Sequence, residues 1–271
     1  MMQIGNRAFD TENNCYIMGI LNVTPDSFSD GGQFNDLDKA LYHVENMIAD
    51  GMDILDIGGE STRPNYTKIS VPEEIERTAP VIEAVKKRFS IPVSLDTYKY
   101  QVAEAGIQAG ADLINDIWGL QYDHGEMAEL LARKNLPCCL MHNRNTLHTH
   151  DFFENLIKDM HQVIETALSA DIATSNIILD PGIGFGKSYE NNLETIRKLD
   201  LFRENLGYPV LLGTSRKSVI GLTLDLPVTE RLEGTLATTV IGVMKGISFV
   251  RVHDIQENAR AIRMTQAIRK G

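Results

Sequence analysis

The stretch Ile177-Ile-Leu-Asp-Pro-Gly-Ile-Gly-Phe-Gly-Lys187 contains, in eleven letters, the unit from which this chain is built. A short apolar run ends in an aspartate, and a glycine-rich turn follows it. A continuously apolar run of this length is typical of a parallel β-strand that is buried on both faces. Apolar residues return at helical spacing over residues 191–201, so the stretch predicts a strand, a turn and then a helix.

The same unit recurs along the whole chain. Short apolar runs predict eight strands, at Tyr16–Asn22, Ile54–Gly58, Val93–Asp96, Leu113–Asp116, Cys138–Met141, Ile177–Asp180, 210–213 and 249–253. Amphipathic patterns between them predict helices, most clearly at 73–89 and 152–170. Eight consecutive units predict a single α/β domain over residues 1–271, a (β/α)8 TIM barrel. An open doubly wound sheet is the less favoured alternative, because no run resembles an edge strand.

Composition narrows the class of protein. The 271 residues include 43% apolar and 23% charged side chains, as in ordinary globular domains, and the net charge of −11 argues against nucleic acid or an anionic membrane as a partner. No stretch is long and apolar enough for a membrane span, and the first ten residues do not resemble a signal peptide, so we expect a cytoplasmic protein. Cys15, Cys138 and Cys139 lie in apolar runs without metal-ligand spacing, which predicts buried free thiols.

Polar residues gather where the predicted strands end. They are Asn22, Glu60, Asp96, Asn115, Asp116, His142, Asp180, Arg251 and His253. In a barrel these ends converge on one opening, where active sites form. A single aspartate or asparagine at such a place is more often a helix cap or a turn former. Recurrence on most of the strands favours a functional site.

The cations near these ends predict an anion-binding site. Arg63 follows a glycine pair in Asp56-Ile-Gly-Gly-Glu-Ser-Thr-Arg-Pro64, and Lys217 belongs to Leu212-Gly-Thr-Ser-Arg-Lys-Ser218. Arg251 and His253 are two residues apart on one strand, so both project to the same side. A basic opening on an acidic protein suits a phosphate-like anion. Asp96, Asn115 and Asp180 would offer acceptors to a planar, donor-rich heterocycle deeper in the barrel.

Two further segments of the sequence are glycine-containing or polar stretches that follow predicted strands. The long polar segment from Ile20 to Gly32 predicts a loop that closes over a substrate. The segment from Asp180 to Ser188 ends in Gly-Lys-Ser but has Pro181 where a P-loop requires glycine, so a nucleotide site is not predicted there.

At this point the motifs resemble a known family. Asn22-Val-Thr-Pro-Asp-Ser-Phe-Ser-Asp and Gly58-Gly-Glu-Ser-Thr-Arg-Pro are similar to the two signatures of the dihydropteroate synthases. Six further matches follow in the family's order: Ser94-Leu-Asp-Thr, Asn115-Asp-Ile, Leu140-Met-His, Asp180-Pro-Gly-Ile-Gly-Phe-Gly-Lys, Gly213-Thr-Ser-Arg-Lys-Ser and Arg251-Val-His-Asp. The ordered set spans nearly the whole chain, which makes the resemblance specific.

The resemblance implies a role for each matching residue. The pterin would be bound by Asp96, Asn115, Met141, Asp180, Phe185 and Lys217. Pyrophosphate would be bound by Asn22, Arg63, Arg251 and His253, and Asn22 would also be a ligand of Mg2+. The p-aminobenzoate pocket would consist of Phe28, Thr62, Pro64, Lys217 and Ser218. The catalytic set would be Asn22, Arg63, Lys217, Arg251 and His253, and the family suggests a homodimer, formed through the last helices.

The implied reaction joins p-aminobenzoate to 6-hydroxymethyl-7,8-dihydropterin pyrophosphate and releases pyrophosphate. Negative charge develops on the leaving group, which cations and Mg2+ can stabilise. Two alternatives share the fold: a methyltetrahydrofolate-dependent methyltransferase and a non-catalytic pterin-binding paralogue. The first would not need the loop containing Phe28 or Arg63, and the second would be favoured by loss of Asn22, Arg63 or Lys217, none of which is lost.

One segment departs from the family pattern. After His142 the chain continues Asn143-Arg-Asn-Thr-Leu-His-Thr-His150, where the family often has glutamine, glycine and proline. We assign this loop no site. A metal site made by His142, His148 and His150 is possible from composition, but a solvated loop is the favoured interpretation.

Overall fold

The barrel of this protein is an eight-stranded parallel sheet. The computed structural model describes residues 1–23, 33–60, 68–144 and 150–270, and for residues 33–36 the backbone alone. The strands of the sheet are β3 (Tyr16–Asn22), β4 (Ile54–Gly58), β5 (Val93–Asp96), β6 (Leu113–Asp116), β7 (Cys138–Met141), β8 (Ile177–Asp180), β9 (Leu211–Leu212) and β10 (Phe249–Val252). Each pairs in parallel with its neighbour in the order β8-β7-β6-β5-β4-β3-β10-β9.

A parallel bridge between Leu179 and Val210 brings β9 next to β8. The amide of Leu179 also donates to the carbonyl of Pro209 at 2.9 Å, so the sheet closes on itself. This closure confirms the predicted (β/α)8 barrel over the open sheet.

Helices cover the outside of the barrel. They are α1 (Gln33–Ala49), α2 (Val71–Arg88), α3 (Tyr100–Ala109), α4 (Glu126–Lys134), α5 (Phe152–Ser169), α6 (Tyr189–Arg197), α7 (Leu199–Leu206), α8 (Ser218–Leu224), α9 (Leu232–Met244) and α10 (Ile255–Lys270). The helix predicted at 73–89 begins earlier because Ser70 accepts a hydrogen bond from the amide of Glu73 and caps it. The helix predicted at 191–201 is two helices, with a break at Lys198.

The predicted strands agree closely with the observed ones. Six have the predicted bounds, and β10 is one residue shorter than predicted. The strand predicted at 210–213 is reduced to Leu211–Leu212, because Val210 makes only an isolated bridge.

A short hairpin fills the end of the barrel opposite the strand carboxyl ends. β1 (Met2–Ile4) and β2 (Arg7–Phe9) pair antiparallel, and no apolar run in the sequence predicted them. Their buried side chains join one apolar cluster with the inward-facing residues of the strands, which are Met18, Ile54, Leu113, Cys139, Ile178, Leu211 and Phe249. Polar function is therefore confined to the other end, which we call the mouth.

The three thiols behave as predicted. Cys15, Cys138 and Cys139 are free and buried. Cys138 packs in the layer between strands and helices, whereas Cys139 faces the barrel interior, as alternation along a strand requires. Within the described ranges, no helix is both long enough and apolar enough to cross a membrane.

Candidate active site

Four neighbouring strands place a row of residues at the mouth. In the strand register Asn22 lies beside Gly58, Gly58 beside Asp96, and Asp96 beside Asn115. Asn115 is two residues from Leu113, which packs in the barrel interior, so its side chain also points inward. A Cβ atom on Gly58 would lie 3.6 Å from Asp96 Cβ and 3.7 Å from Asn22 Oδ1, so this glycine leaves both side chains room.

Arg251 connects two carboxylates inside the mouth. Its Nε donates to Asp56 Oδ2 and its Nη2 to Asp96 Oδ2, each at 2.6 Å. The other oxygen of Asp56 accepts from Ser94 Oγ at 2.6 Å. Asp56 is wholly buried, so the guanidinium and the hydroxyl compensate a charge that water does not reach. Burial opposes the charged form of Arg251, but Asp56 and Asp96 outweigh it and raise its pKa.

One carboxylate oxygen of Asp96 is left unpaired. Its Oδ1 is buried and accepts no hydrogen bond from any described residue. Burial raises the pKa of Asp96 to about 7, although Arg251 pulls in the opposite direction. A single guanidinium shared by two carboxylates neutralises only one of them, and Asp56 therefore also disfavours the charged form of Asp96. A buried orphan acceptor of this kind is a place for a ligand donor.

Asp180 and Lys217 form the facing side of the mouth. Asp180 Oδ1 accepts from the amide of Gly182 at 2.7 Å, and Lys217 Nζ donates to the carbonyl of Ile183 at 2.5 Å. Burial raises the pKa of Asp180, with Lys217 opposing, and lowers the pKa of Lys217 to about 8, with Asp180 opposing. A Cβ on Gly213 would lie 3.7 Å from both Asp180 Oδ2 and Lys217 Nζ, so the two groups share one space above that glycine.

The floor of this space is aromatic and apolar. Lys217 Nζ lies 4.7 Å from the centre of the Phe185 ring. Phe185 and Trp118 pack against a small buried cluster of Tyr98, Ile117 and Met141. A flat apolar wall beside carboxylates and an ammonium suits a planar heterocycle with donors at its edge.

The turns that follow β9 and β10 are joined by side-chain contacts beside this space. Ser215 Oγ shares a hydrogen bond with His253 Nδ1 at 2.9 Å, and Arg216 pairs with Asp254. Ser218 stands apart from these contacts. It is exposed as the first residue of α8 and lines a surface cavity of about 400 Å³ that Gly221, Leu226 and Arg231 also line.

The structure thus gathers most of the predicted site and leaves part of it outside the described residues. Asn22, Asp96, Asn115, Met141, Asp180, Phe185, Lys217, Arg251 and His253 lie at or just inside the mouth. Phe28, Thr62, Arg63 and Pro64 fall outside the described residues, as does His148. Among the residues described, the mouth has mixed charge, because Asp56, Asp96 and Asp180 face Arg251 and Lys217.

A buried ion-pair network lies beside the carboxyl end of β4. Lys99 Nζ donates to Glu60 Oε2 and Glu74 Oε2, both at 2.7 Å, and to the carbonyl of Ile69 at 2.8 Å. Tyr98 donates its hydroxyl to the other oxygen of Glu60 at 2.6 Å. Glu60, placed at the mouth by the sequence, is therefore a member of a structural network that joins Tyr98, Lys99 and Ile69.

Several contributing residues were not predicted. Ser94 lies two residues before Asp96, and Asp56 lies two residues before the end of its predicted strand at Gly58, so alternation along the strands could have identified both. Trp118 and Tyr98 carried no comparable signal. His142 is buried against Asp159, with Nε2 3.0 Å from Oδ2, and is not part of a solvated loop.

The residues available for a metal are few. Within the described ranges, no group of three or more His, Cys, Asp or Glu side chains is arranged to hold a metal ion. Asn22 is half-buried at the mouth, and its amide oxygen lies on the side of Asp96. A hard cation such as Mg2+ binds oxygen ligands and commonly takes only one or two from protein when a substrate phosphate supplies others. The donor type of Asn22 fits that pattern.

Known proteins resemble this chain over nearly its full length. The profile of the family described as pterin binding enzyme matches residues 18–253. A dihydropteroate synthase of Clostridium beijerinckii is 58% identical over 98% of this chain and 99% of its own length. A solved dihydropteroate synthase from Clostridium difficile, determined in the presence of pteroic acid, superposes with a TM-score of 0.93 at 48% identity, covering 97% and 100% of the two chains. One from Xanthomonas albilineans with 4-aminobenzoic acid has a TM-score of 0.90 at 38% identity, covering 96% and 94%.

Proposed function

Because the chain belongs to the pterin-binding enzyme family, as one of its dihydropteroate synthases, we propose that the mouth binds its substrates through the residues described above. The reaction joins 6-hydroxymethyl-7,8-dihydropterin pyrophosphate to p-aminobenzoate, giving 7,8-dihydropteroate and pyrophosphate. It is a transfer that forms a carbon–nitrogen bond. Likeness to synthases along the whole chain favours this activity over the methyltransferase alternative.

The pterin ring is assigned to the space between the two carboxylate clusters. The observation that carries this assignment is the buried, unpaired Oδ1 of Asp96, a residue at the same mouth as Asp180 and Lys217. Ring and amino N–H groups would donate to Asp96 and Asp180, the side-chain amide of Asn115 would complete the edge, and Lys217 would donate to a ring acceptor. Met141 and Phe185 would lie against the ring face.

The pyrophosphate is assigned to the outer part of the mouth, with Mg2+. Asn22, His253 and the outward side of Arg251 would hold it, together with Arg63. When bound, Mg2+ would neutralise negative charge on the departing pyrophosphate. The pairing of Arg251 with Asp56 and Asp96 gives this residue a second task, since it also holds the acceptors of the pterin pocket in place.

The bond changes require little from the protein beyond placement. The arylamine nitrogen forms a bond to the pterin methylene carbon, the carbon–oxygen bond to pyrophosphate breaks with its electron pair on oxygen, and the amine loses a proton. Positive charge that develops on the pterin is favoured by the nearby carboxylates, and the leaving group by the cations. Ser218 and Lys217, with Phe28, Thr62 and Pro64, are assigned to the p-aminobenzoate.

A turnover assay tests the proposal directly. The protein is mixed with Mg2+, the pterin pyrophosphate and p-aminobenzoate, and both products are quantified. We expect pyrophosphate and dihydropteroate in equal amounts. Asn22→Ala should raise the Mg2+ concentration needed for half-maximal rate, which distinguishes a metal ligand from a residue that only binds pterin. Pterin binding without either product would instead identify a non-catalytic paralogue.

The outer helices support a homodimer. Val240 and Met244 on α9, and Met264 and Ile268 on α10, are exposed apolar residues spaced four apart, so each pair shares one helix face. The two helices pack together. Exposed apolar residues on two adjacent helices are typical of an interface, and a twofold dimer is the commonest symmetric assembly.

The free thiols support a reducing compartment. Cys15, Cys138 and Cys139 have no disulfide partner. Disulfides are rare in the cytosol, where thiols are kept reduced. We assign the protein to the cytoplasm, which fractionation of its host cells would test.

A further inference from the structure

A partly buried lysine outside the assigned site is fully hydrogen-bonded beneath the glycine-rich turn that follows β8. Lys187 Nζ donates to the carbonyls of Gly182 at 2.9 Å and Phe185 at 3.0 Å, and contacts His142 Nδ1 at 2.9 Å. An ammonium has three donors, and these three acceptors can use all of them; the carbonyl of His142 lies further away, at 3.4 Å. Burial lowers the pKa of Lys187 to about 7, with Asp180 opposing, Lys217 adding and Asp159 opposing.

The histidine in this cluster has its tautomer set by its neighbours. His142 Nε2 lies 3.0 Å from Asp159 Oδ2, and a carboxylate oxygen only accepts, so the ring proton is on Nε2. Nδ1 is then the acceptor for Lys187. Burial lowers the pKa of His142 to about 4, which keeps the ring neutral at physiological pH. Arg144 holds Asp159 from the other side. A continuous chain therefore runs from Asp159 through His142 to Lys187.

The turn that Lys187 ties down touches the assigned site at three points. The carbonyl of Ile183 accepts from Lys217, the ring of Phe185 lies under the Lys217 ammonium, and the amide of Gly182 donates to Asp180. The turn also packs on the backbone of the preceding strand end. A Cβ on Gly182 would overlap the carbonyl oxygen of His142, and one on Gly186 would lie 2.5 Å from that of Arg144.

From this connection we propose that Lys187 is a positioning residue for the pterin pocket. By tying the carbonyls of Gly182 and Phe185 to His142, it holds the turn in the form that presents Phe185 to the ring face and fixes Lys217 and Asp180. It has no contact with substrate in this role. The inference rests on the proposed function, because it acts on the pocket assigned to the pterin.

The test is Lys187→Met, which keeps the length of the side chain and removes its donors. We expect the dissociation constant of the pterin ester, measured by calorimetry without p-aminobenzoate, to rise about tenfold, the equivalent of one hydrogen bond to a charged group. The KM for p-aminobenzoate should rise less than the dissociation constant of the pterin ester, since Lys217 is the only residue of the p-aminobenzoate pocket that this turn contacts. Lys134→Met is the matched control, because Lys134 is exposed on the last turn of α4.

A second variant separates positioning from mere folding. Asp159→Asn weakens the same chain two links away, so we expect a loss of pterin affinity of a few fold. Its effect should be less than additive with that of Lys187→Met, because both act through His142. Should Lys187→Met fail to fold, the loss of pterin affinity in Asp159→Asn decides alone.

Two results would overturn the proposal: unchanged pterin affinity in a folded variant, or a fall in kcat that matches the folded fraction with both KM values unchanged. Failure of the proposed function is separate from either, since it would be seen as absent turnover in the unaltered protein.

Discussion

Arg251 carries one positive charge and faces two buried carboxylates. Asp56 is wholly buried and also bonded to Ser94, whereas Asp96 keeps one oxygen unpaired. The pairing is therefore unequal, and the uncompensated part of the charge falls on Asp96. A ligand that donates to Asp96 supplies the hydrogen bond that its free oxygen lacks in the protein. This imbalance therefore favours binding of a donor-rich ring.

This imbalance predicts a pH-dependent stability. The pKa of Asp96 is raised from 3.8 to about 7, so the folded protein holds a proton that the unfolded chain has released in that interval. The contribution of Asp96 to the free energy of unfolding is present below about pH 4 and is lost as the pH rises to about 7. Unfolding by urea from pH 4.5 to 7.5 should show the unaltered protein losing stability relative to Asp96→Asn. A constant difference would contradict the raised pKa.

Asp180 offers a second prediction at the level of one residue. Asp180→Asn keeps the acceptor for the amide of Gly182 and removes the charge beside Lys217. Hydrogen bonds to charged groups contribute about 1.5–3 kcal/mol, so pterin affinity should fall roughly 10- to 100-fold. Calorimetric titration measures it, and Asp171→Asn, at an exposed position, is the control. Equal affinity in the two variants would place the pterin elsewhere.

Among the elements, the N-terminal hairpin contributes to the core out of proportion to its length. Phe9 is wholly buried, with its ring centre 4.9 Å from that of Tyr16 and 5.8 Å from that of Phe249. It closes the end of the barrel that bears no polar function. Stability and catalysis are therefore placed at opposite ends of the same strands.

Phe9→Ala should lower the stability of the barrel without changing its catalytic activity. Truncation of a buried phenylalanine costs about 3–5 kcal/mol, so the urea midpoint should fall clearly, while kcat/KM of the protein that remains folded should change less than about twofold. Gln3→Ala, exposed on the same hairpin, should leave the midpoint unchanged. A large loss of kcat/KM in folded Phe9→Ala would mean that the plug also shapes the mouth.

The sequence predicted elements wherever burial on both faces produced an apolar run. Ile177–Asp180 and Cys138–Met141 are such runs, and their bounds are confirmed. The hairpin was missed because strands of three residues are too short to show alternation, and the break at Lys198 because neither proline nor glycine marks it. Strand ends predicted where the site lies, because parallel strands converge there. They could not predict that Arg251 would meet Asp56, which lies far away in the sequence and is brought near because β10 and β4 both pair with β3.

At the scale of the whole molecule, the charge at the mouth differs from the net charge of the chain. The chain has a net charge of −11, yet Lys217 and Arg251 stand at the mouth, and the predicted Arg63 would add to them. Both described cations are already opposed by carboxylates, so the predicted Arg63 and Mg2+ would add much of the attraction for an anionic substrate. Raising ionic strength should therefore raise the KM of the pterin pyrophosphate while leaving the affinity of the uncharged bare pterin nearly constant, which parallel titrations at 0.05 and 0.5 M salt would measure.

The proposed dimer gives a prediction at the same scale. Met264→Glu with Ile268→Glu puts charges on the exposed face of α10, and we expect light scattering to show monomers in place of dimers. Tyr42→Glu, at an exposed aromatic on α1, should leave the mass unchanged. A monomeric unaltered protein would contradict the assignment of this surface.

The inward orientation of Cys139 makes its thiol a probe of barrel opening. Its thiol points into an interior that the hairpin closes from below, and burial raises its pKa well above the ordinary value. An alkylating reagent reacts with thiolate, so it reaches this sulfur only when the strands part. The rate at which Cys139 is alkylated then reports how often the native barrel opens, and it does so without denaturant. A bound ligand that holds the strands together at the mouth would lower the alkylation rate of Cys139 inside the barrel.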